Sequence, residues 1–285
     1  MTEDILGTGI KASLATTIFS TAAKTGFVYY AEELKGIAKA ANIPLGKVVL
    51  LQIAYEAFAA CTSIVVDGPD GYPLHIRSMD WEMPELQPLT IEVDFIRNGH
   101  FIHRATTWAG YVGVLTGVRH QGFSISVNYR RTELGATQSG ISGILQNLTR
   151  GAAGHWPVSF LIREIMETET DFHSAVNALQ LSELMAPVYL TVAGTQKGQG
   201  VVLTRDREAG AVLGECVSAS LVPAGTATTF EKTSSNSAAV AAAAGTASFI
   251  VQTNMDMWRC FEDDESDDWQ DICDSRERSR YAVAA

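Results

Sequence analysis

Between Cys61 and Trp81 the chain reads CTSIVVDGPDGYPLHIRSMDW, two strand-like runs that meet at Gly68-Pro69-Asp70-Gly71. A Gly-Pro-Asp-Gly turn between apolar runs predicts a β-hairpin, with Cys61 opening its first strand and Arg77 on the returning one. Folding back over that turn brings a thiol, a cation and, at Asp80, a carboxylate toward one another. Such a trio supports nucleophilic chemistry, because a nearby positive charge raises the thiolate fraction and an acidic partner holds the groups in register. The same residues also read as a small buried filler beside a structural ion pair, since free Cys is among the most buried residue types. The stretch offers the thiol no general base. His75, two positions before Arg77, reads as readily as a solvated or packed strand residue as it does as a base.

The rest of the chain sets this hairpin inside a larger pattern. Ile10 to Ala23 and Tyr30 to Ala41 space apolar residues as helices do, Asn42-Ile43-Pro44 breaks the second, and a third apolar stretch runs from Val48 to Phe58. Residues 1–60 therefore read as a helical cap. From Cys61 the period changes to two: strands are expected at Cys61 to Asp67, Leu74 to Trp81, Leu89 to Arg97, His100 to Trp108, and Phe123 to Asn128 with Ser at alternate positions. Asn98-Gly99 between two of them is the strongest short hairpin signal there is. A helical block over Ser139 to Gln180 carries Val158, Leu161, Ile162 and Ile165 at helical spacing, and strands return at Val188 to Ala193, Gly200 to Thr204 and Ser248 to Thr253. Strands, then helices, then strands predict an α+β fold with a sheet on each side of the core and helices outside. Two segments interrupt it: 223–247, small, polar and low in complexity, reads as a surface insertion, and 262–274, acidic around Trp269, as a solvated loop.

Composition excludes several classes of function. At 285 residues with 46% apolar and 19% charged residues, the chain has the make-up of a globular protein with a sizeable core. Its formal charge of -11 argues against a nucleic-acid partner. Cys216, Cys260 and Cys273 show neither a CxxC spacing nor a His partner, so no metal site and no cofactor is expected. No run is apolar for long enough to span a bilayer, and the start, with Glu3 and Asp4, makes a poor signal peptide. Asn147-Leu148-Thr149 forms a glycosylation sequon, a triplet that also arises often by chance.

A missing base suggests a nucleophile that uses its own α-amine after the chain is cut in front of it. The run AACTSIVVDGPDGYPLHIRSMDW resembles the nucleophile region of the acid ceramidase and N-acylethanolamine-hydrolysing acid amidase family, Cys-type N-terminal nucleophile hydrolases that self-cleave before the Cys. GIAKAANIPLGKVVLLQIAYEAFAA, residues 36–60, is similar to the end of that family's small subunit. PLTIEVDFIRNG, AGYVGVLTG, HWPVSFLIRE, VVLTRDRE and IVQTNMDMW resemble its large subunit, in the same order.

The resemblance implies an αββα four-layer sandwich, with a small helical subunit over 1–60, a catalytic region over 61–285 and scission between Ala60 and Cys61. It implies Cys61, Arg77, Asp80, Asn254 and Arg276 as catalytic residues, with Arg278 and Arg280 as rivals of Arg276. Asn128 would lie near the oxyanion, beside Tyr129 where the family has Glu. Read without the resemblance, Asn254 is a turn residue after a strand and Arg276 a surface charge. The implied activity is hydrolysis of the amide of N-acylated lipids, N-acylethanolamine or ceramide, with HWPVSFLIRE leaning slightly to the former. Implied partners are the lipid amide, a lipid surface and, since no Cys precedes position 61, two fragments associated without a disulfide. The implied location is lysosomal or secretory. Two alternatives stand beside this: a catalytically impaired lipid-binding homologue, which Tyr129 and the end of the sequence at Ala285 favour, and a bile-salt or penicillin-amide hydrolase, whose chains start directly at the Cys.

Overall fold

A computed structural model of the chain describes residues 28–53, 61–80, 83–130, 153–207, 217–220 and 249–252, with isolated positions 17, 20, 147 and 149–151. Helix α1 (Ala31–Ala41) starts with Glu32 and Glu33 in its first turn and ends with Lys39 in its last, charges that oppose the helix dipole at both ends. Asn42 closes it in the left-handed region at φ 55°, and Ile43 N–H returns to Ala38 O at 3.0 Å. Pro44 then opens α2 (Leu45–Ile53), accepting from Val48 N–H at 3.3 Å.

Ten strands follow among the described residues: β1 (Cys61–Asp67), β2 (Pro73–Met79), β3 (Thr90–Arg97), β4 (His100–Trp108), β5 (Thr116–Arg119), β6 (Ser124–Tyr129), β7 (Val188–Ala193), β8 (Gly200–Arg205), β9 (Val217–Ser220) and β10 (Phe249–Gln252). They form two antiparallel sheets, a small one in the order β10-β1-β2 and a large one running β3 to β9 in sequence order. The β3–β4 turn has Asn98 and Gly99 both at positive φ, 54° and 80°, which a two-residue hairpin loop with the right twist requires. β1 and β2 lie against β6, β7 and β8, so the small sheet packs face to face on the middle of the large one.

Helices α3 (Val158–Thr168) and α4 (Phe172–Leu181) cover the other face of the large sheet. That layer is apolar, built from Ile125, Val127, Leu190, Val192 and Leu203 of the sheet with Leu161, Ile162, Ile165 and Leu179 of the helices. Gly117 of β5 permits the contact: a Cβ there would stand 2.8 Å from Met166 Sδ. Asp171 caps α4, accepting from His173 and Ser174 N–H at 3.0 and 3.1 Å. The buried Arg205 donates to Leu179 O and Ser182 O at its other end. Alternation decides which layer each residue joins, so Ser124, Ser126 and Asn128 of β6 face the small sheet.

The expected α+β sandwich is the fold observed, with three of its four expected layers within the described residues. Several boundaries differ for local reasons. β2 stops at Met79, and Pro84–Leu89, opened by Pro84 and carrying Pro88 as its next-to-last residue, forms a 3₁₀ turn, so β3 begins at Thr90. β5 and β9 have only four residues each, too short to show a period, and neither was expected. Within the described part of the helical block, 147 and 149–151 are helical and 153–157 are not, and α3 and α4 follow, divided at Glu169–Asp171 by a cap. The sequon asparagine is buried: Asn147 Oδ1 accepts from Arg207 Nη2 at 2.9 Å, a packing that leaves no room for a glycan. Most of Ile10 to Ala23, residues 54–60, Ser139 to Gly143, 223–247 and 262–274 lie outside the described residues.

On β4, His103 is fully buried and stacks on Phe95 at 4.1 Å, with neither ring nitrogen hydrogen-bonded. Burial first, then Arg163, Arg119 and Arg97, lower its pKa to about 4. In the unfolded chain the imidazole titrates near 6.5. Between those values the unfolded state binds a proton that the folded state refuses, so stability falls as pH drops from about 6.5 to about 4 and levels below. His103 should account for about 3 kcal/mol of that loss. His103→Phe, which keeps the stack and removes both unpaired nitrogens, should flatten the fall by that amount in urea unfolding at pH 7, 5 and 4. An unchanged fall would mean that His103 is charged or solvated in the folded protein.

Candidate active site

The β1–β2 hairpin is the framework of the site. Gly68 N–H donates to Tyr72 O and Gly71 N–H to Gly68 O, both at 2.9 Å, and Gly71 takes φ 83°. A Cβ at Gly68 would meet Tyr72 O at 2.8 Å, so the turn needs glycine there too. This turn fixes a register in which Cys61 lies opposite Met79 and Ser63 opposite Arg77. Arg77 is therefore the diagonal neighbour of Cys61 on the inward face, within reach of a long side chain.

The guanidinium closes that gap. Arg77 Nη2 donates to Cys61 Sγ at 3.1 Å and to Val127 O at 3.0 Å, anchoring the cation on the large sheet while it faces the sulfur. Cys61 is fully buried and is a free thiol. A donor of this kind stabilises negative charge on sulfur more strongly when water is excluded. Asp80 stands one residue beyond β2, exposed, and accepts from Ser78 Oγ at 3.2 Å.

Asn128, also fully buried, reaches across from β6. Its Nδ2 donates to Gln252 O at 2.8 Å and to Cys61 O at 3.4 Å, and its Oδ1 accepts from Ser63 Oγ at 2.8 Å. The amide thus ties β6 to both β1 and β10 and grips the carbonyl of Cys61 itself. Tyr129 follows as the last residue of β6, half-buried and paired with Val188. Ala60, Asn254, Arg276, Arg278 and Arg280 lie outside the described residues. Among the described residues no three His, Cys, Asp or Glu side chains are placed to hold a metal ion.

One feature of the site and one contact outside it escaped sequence reasoning. His75 points inward beside Arg77, its Nδ1 and Nε2 each 2.8 Å from a hydroxyl, Ser124 and Ser126 respectively. Burial first, then Arg77, lower its pKa to about 4, so the ring is neutral at mildly acidic pH. The signal was present in the parity His75 shares with Arg77 and in the alternate Ser residues of β6. Arg163 is the second: it spans α3 and α1, donating to Glu33 through both terminal nitrogens at 2.8 and 2.7 Å and to Glu167 through Nε at 2.9 Å. No local pattern marks a contact 130 residues apart.

No family model matches the chain. It is 38% identical to acid ceramidase of Bos taurus over 193 residues, 63% of this chain and 48% of that protein, and equally so to acid ceramidase of Homo sapiens. The chain thus spans about half the length of the curated relatives it matches. It is also similar to the solved structure of the Caenorhabditis elegans N-acylethanolamine-hydrolyzing acid amidase ortholog, with a TM-score of 0.52 and 33% identity over 70% of this chain and 72% of that one.

Proposed function

Because this chain belongs to the acid ceramidase and N-acylethanolamine-hydrolysing acid amidase family, we propose that it hydrolyses the amide bond of N-acylated lipids, after cutting itself between Ala60 and Cys61. The observation that carries the reading is the 3.1 Å donation from Arg77 to Cys61 Sγ at the start of a buried strand. A nucleophile that heads its own polypeptide needs no separate base, which accounts for a thiol with a cation beside it.

In the first stage the Cys61 sulfur attacks the Ala60 carbonyl, the peptide nitrogen leaves as the Cys61 α-amine, and water releases the thioester. In turnover that amine, with an ordinary pKa of about 7.7 to 8.0, takes the thiol proton. The thiolate attacks the lipid amide carbonyl, the amine product departs with a proton, and water hydrolyses the acyl thioester to the fatty acid. Arg77 supports charge on sulfur, and Asp80 at the mouth of the hairpin positions the groups. Asn254 is assigned to the oxyanion. The β1–β10 pairing supports that assignment, because its last described pair, Ser63 with Gln252, stands two residues from Cys61 on one strand and from Asn254 on the other. Arg276 is assigned as the second arginine. Tyr129 borders the substrate. Residues 1–60 form the small subunit and 61–285 the catalytic one, held together without covalent linkage, and an acidic lysosomal or secretory compartment fits the relatives. The lipid-binding and bile-salt or penicillin-amide alternatives draw no support from the proteins that resemble this chain.

Release of fatty acid from an N-acylethanolamine and from a ceramide, measured side by side by chromatography at mildly acidic pH, tests this. Turnover of either is expected, and Arg77→Ala should lower it by roughly 10²- to 10³-fold. Lipid bound but never cleaved would reject hydrolysis in favour of a carrier.

A further inference from the structure

Between the two sheets runs a continuous line of polar side chains ending at the nucleophile's own carbonyl. From His75 of β2 it passes to Ser126 of β6 at 2.8 Å, to Ser63 of β1 at 2.8 Å, to Asn128 Oδ1 at 2.8 Å, and through Asn128 Nδ2 to Cys61 O. Ser63, Ser126 and Asn128 are all fully buried. We propose that His75, acting through Ser126 and Ser63, is a positioning residue that fixes the Asn128 amide on the Cys61 backbone. The inference rests on the reading of Cys61 as the nucleophile.

Counting protons gives the line one direction. Asn128 faces two carbonyl oxygens, Gln252 O and Cys61 O, and only its NH₂ can meet them, so its Oδ1 faces Ser63. Ser63 has a single proton and commits it to that oxygen. It must then accept from Ser126, whose one proton is spent in turn, and Ser126 must accept from the histidine. The Nε2 of His75 therefore carries its proton, and Nδ1 of the neutral ring accepts from Ser124 Oγ. One tautomer satisfies five side chains, and no other residue type at position 75 offers a rigid acceptor and donor at that span. A buried hydroxyl deprived of its donor would turn to find another, and the amide would lose its partner on the Oδ1 side. Loosening Asn128 frees the Cys61 carbonyl to shift, and small displacements of a nucleophile reduce rate far more than binding.

The test uses the full-length protein with ¹⁵N-labelled asparagine. In the wild type the Asn128 carboxamide protons, assigned by their loss in Asn128→Asp, are expected to exchange slowly with solvent. In His75→Phe their exchange should accelerate by about tenfold or more, and His75→Gln, which retains a donor, should recover much of the protection. On a lipid amide, kcat should fall about 10- to 100-fold in His75→Phe with KM within about twofold, and recover in the Gln variant. Should His75→Phe fold poorly, Ser63→Ala breaks the same line with the loss of one oxygen and should give the same exchange. Asn128 protons as protected in His75→Phe and Ser63→Ala as in the wild type would overturn the proposal. A wild type without turnover but with the expected exchange pattern would instead count against the function and leave this positioning intact.

Discussion

Cys61→Ala is expected to remain a single polypeptide and to release fatty acid from a lipid amide at least about 10⁴-fold more slowly than the wild type. Removing a nucleophile leaves only binding and charge stabilisation, and here the same sulfur serves scission and turnover. The substitution is mild for the fold. Cys61 is a small buried side chain at the edge of the apolar cluster, so losing one sulfur atom should cost about 1 kcal/mol, visible as a slightly lower unfolding midpoint with unchanged circular dichroism. That separation of activity from stability is the useful outcome. A Cys61→Ala protein that still cleaves lipid at a tenth of the wild-type rate would place the nucleophile elsewhere.

The second large effect is expected far from the sulfur. Arg163→Ala should lower stability by about 3 kcal/mol, or roughly 6–10 °C in Tm, and should release the 1–60 piece from scissile material on gel filtration. Arg163 is almost wholly buried, sandwiched between Tyr30 at 4.0 Å and Phe95 at 4.7 Å, and also donates to Val112 O at 3.1 Å. Glu33, its partner on α1, is half-exposed, which lowers the value of the pair relative to a fully buried one. Truncation nevertheless takes one of the two arginines that pair with Glu167, leaving Arg97, and opens the space between two rings. Arg163→Lys should recover less than half of the loss, since a single ammonium can neither fork onto Glu33 nor stack as a plane. Other attachments among the described residues include apolar packing of Leu34, Val48 and Val49 on Val112 and Phe160, the stacking of Tyr29 on Trp156 at 4.1 Å, the Tyr30 hydroxyl on Glu164 at 3.3 Å, and Gln52, which donates to Gly110 O at 3.0 Å and accepts from Val112 N–H at 2.7 Å. Retention of the small piece by Arg163→Ala under mild urea would show that this packing suffices without the arginine.

The hairpin that carries Cys61 and Arg77 was legible because both of its determinants are local: a glycine turn with one permissible geometry, and strands of period two. The Asn98-Gly99 hairpin and α1, with Asn42 as its cap, were legible for the same reason. What escaped was either too short or too distant. β5 and β9 each span four residues, and β5 carries Gly117 where a patterned side chain would stand, a glycine explained only by Met166 arriving from α3. In the site, alternate Ser residues in β6 announced a polar inward face, but the partner of that face is set by how one sheet lies on the other. So His75 could be read as a strand residue or a base until β6 lay across from it, and Asn128 could be placed near an oxyanion before its NH₂ was seen to hold the backbone of Cys61. Asp80 reads in sequence as the third member of a trio, and in the fold it stands exposed beside Ser78 at the end of the hairpin.

The account turns on a free amine at Cys61, and intact-mass spectrometry of purified protein incubated at mildly acidic pH measures that directly. Two species are expected, with masses of residues 1–60 and 61–285, the larger beginning with an unblocked cysteine, while Cys61→Ala gives one. A fully active wild type whose mass is that of the uncut chain would contradict it.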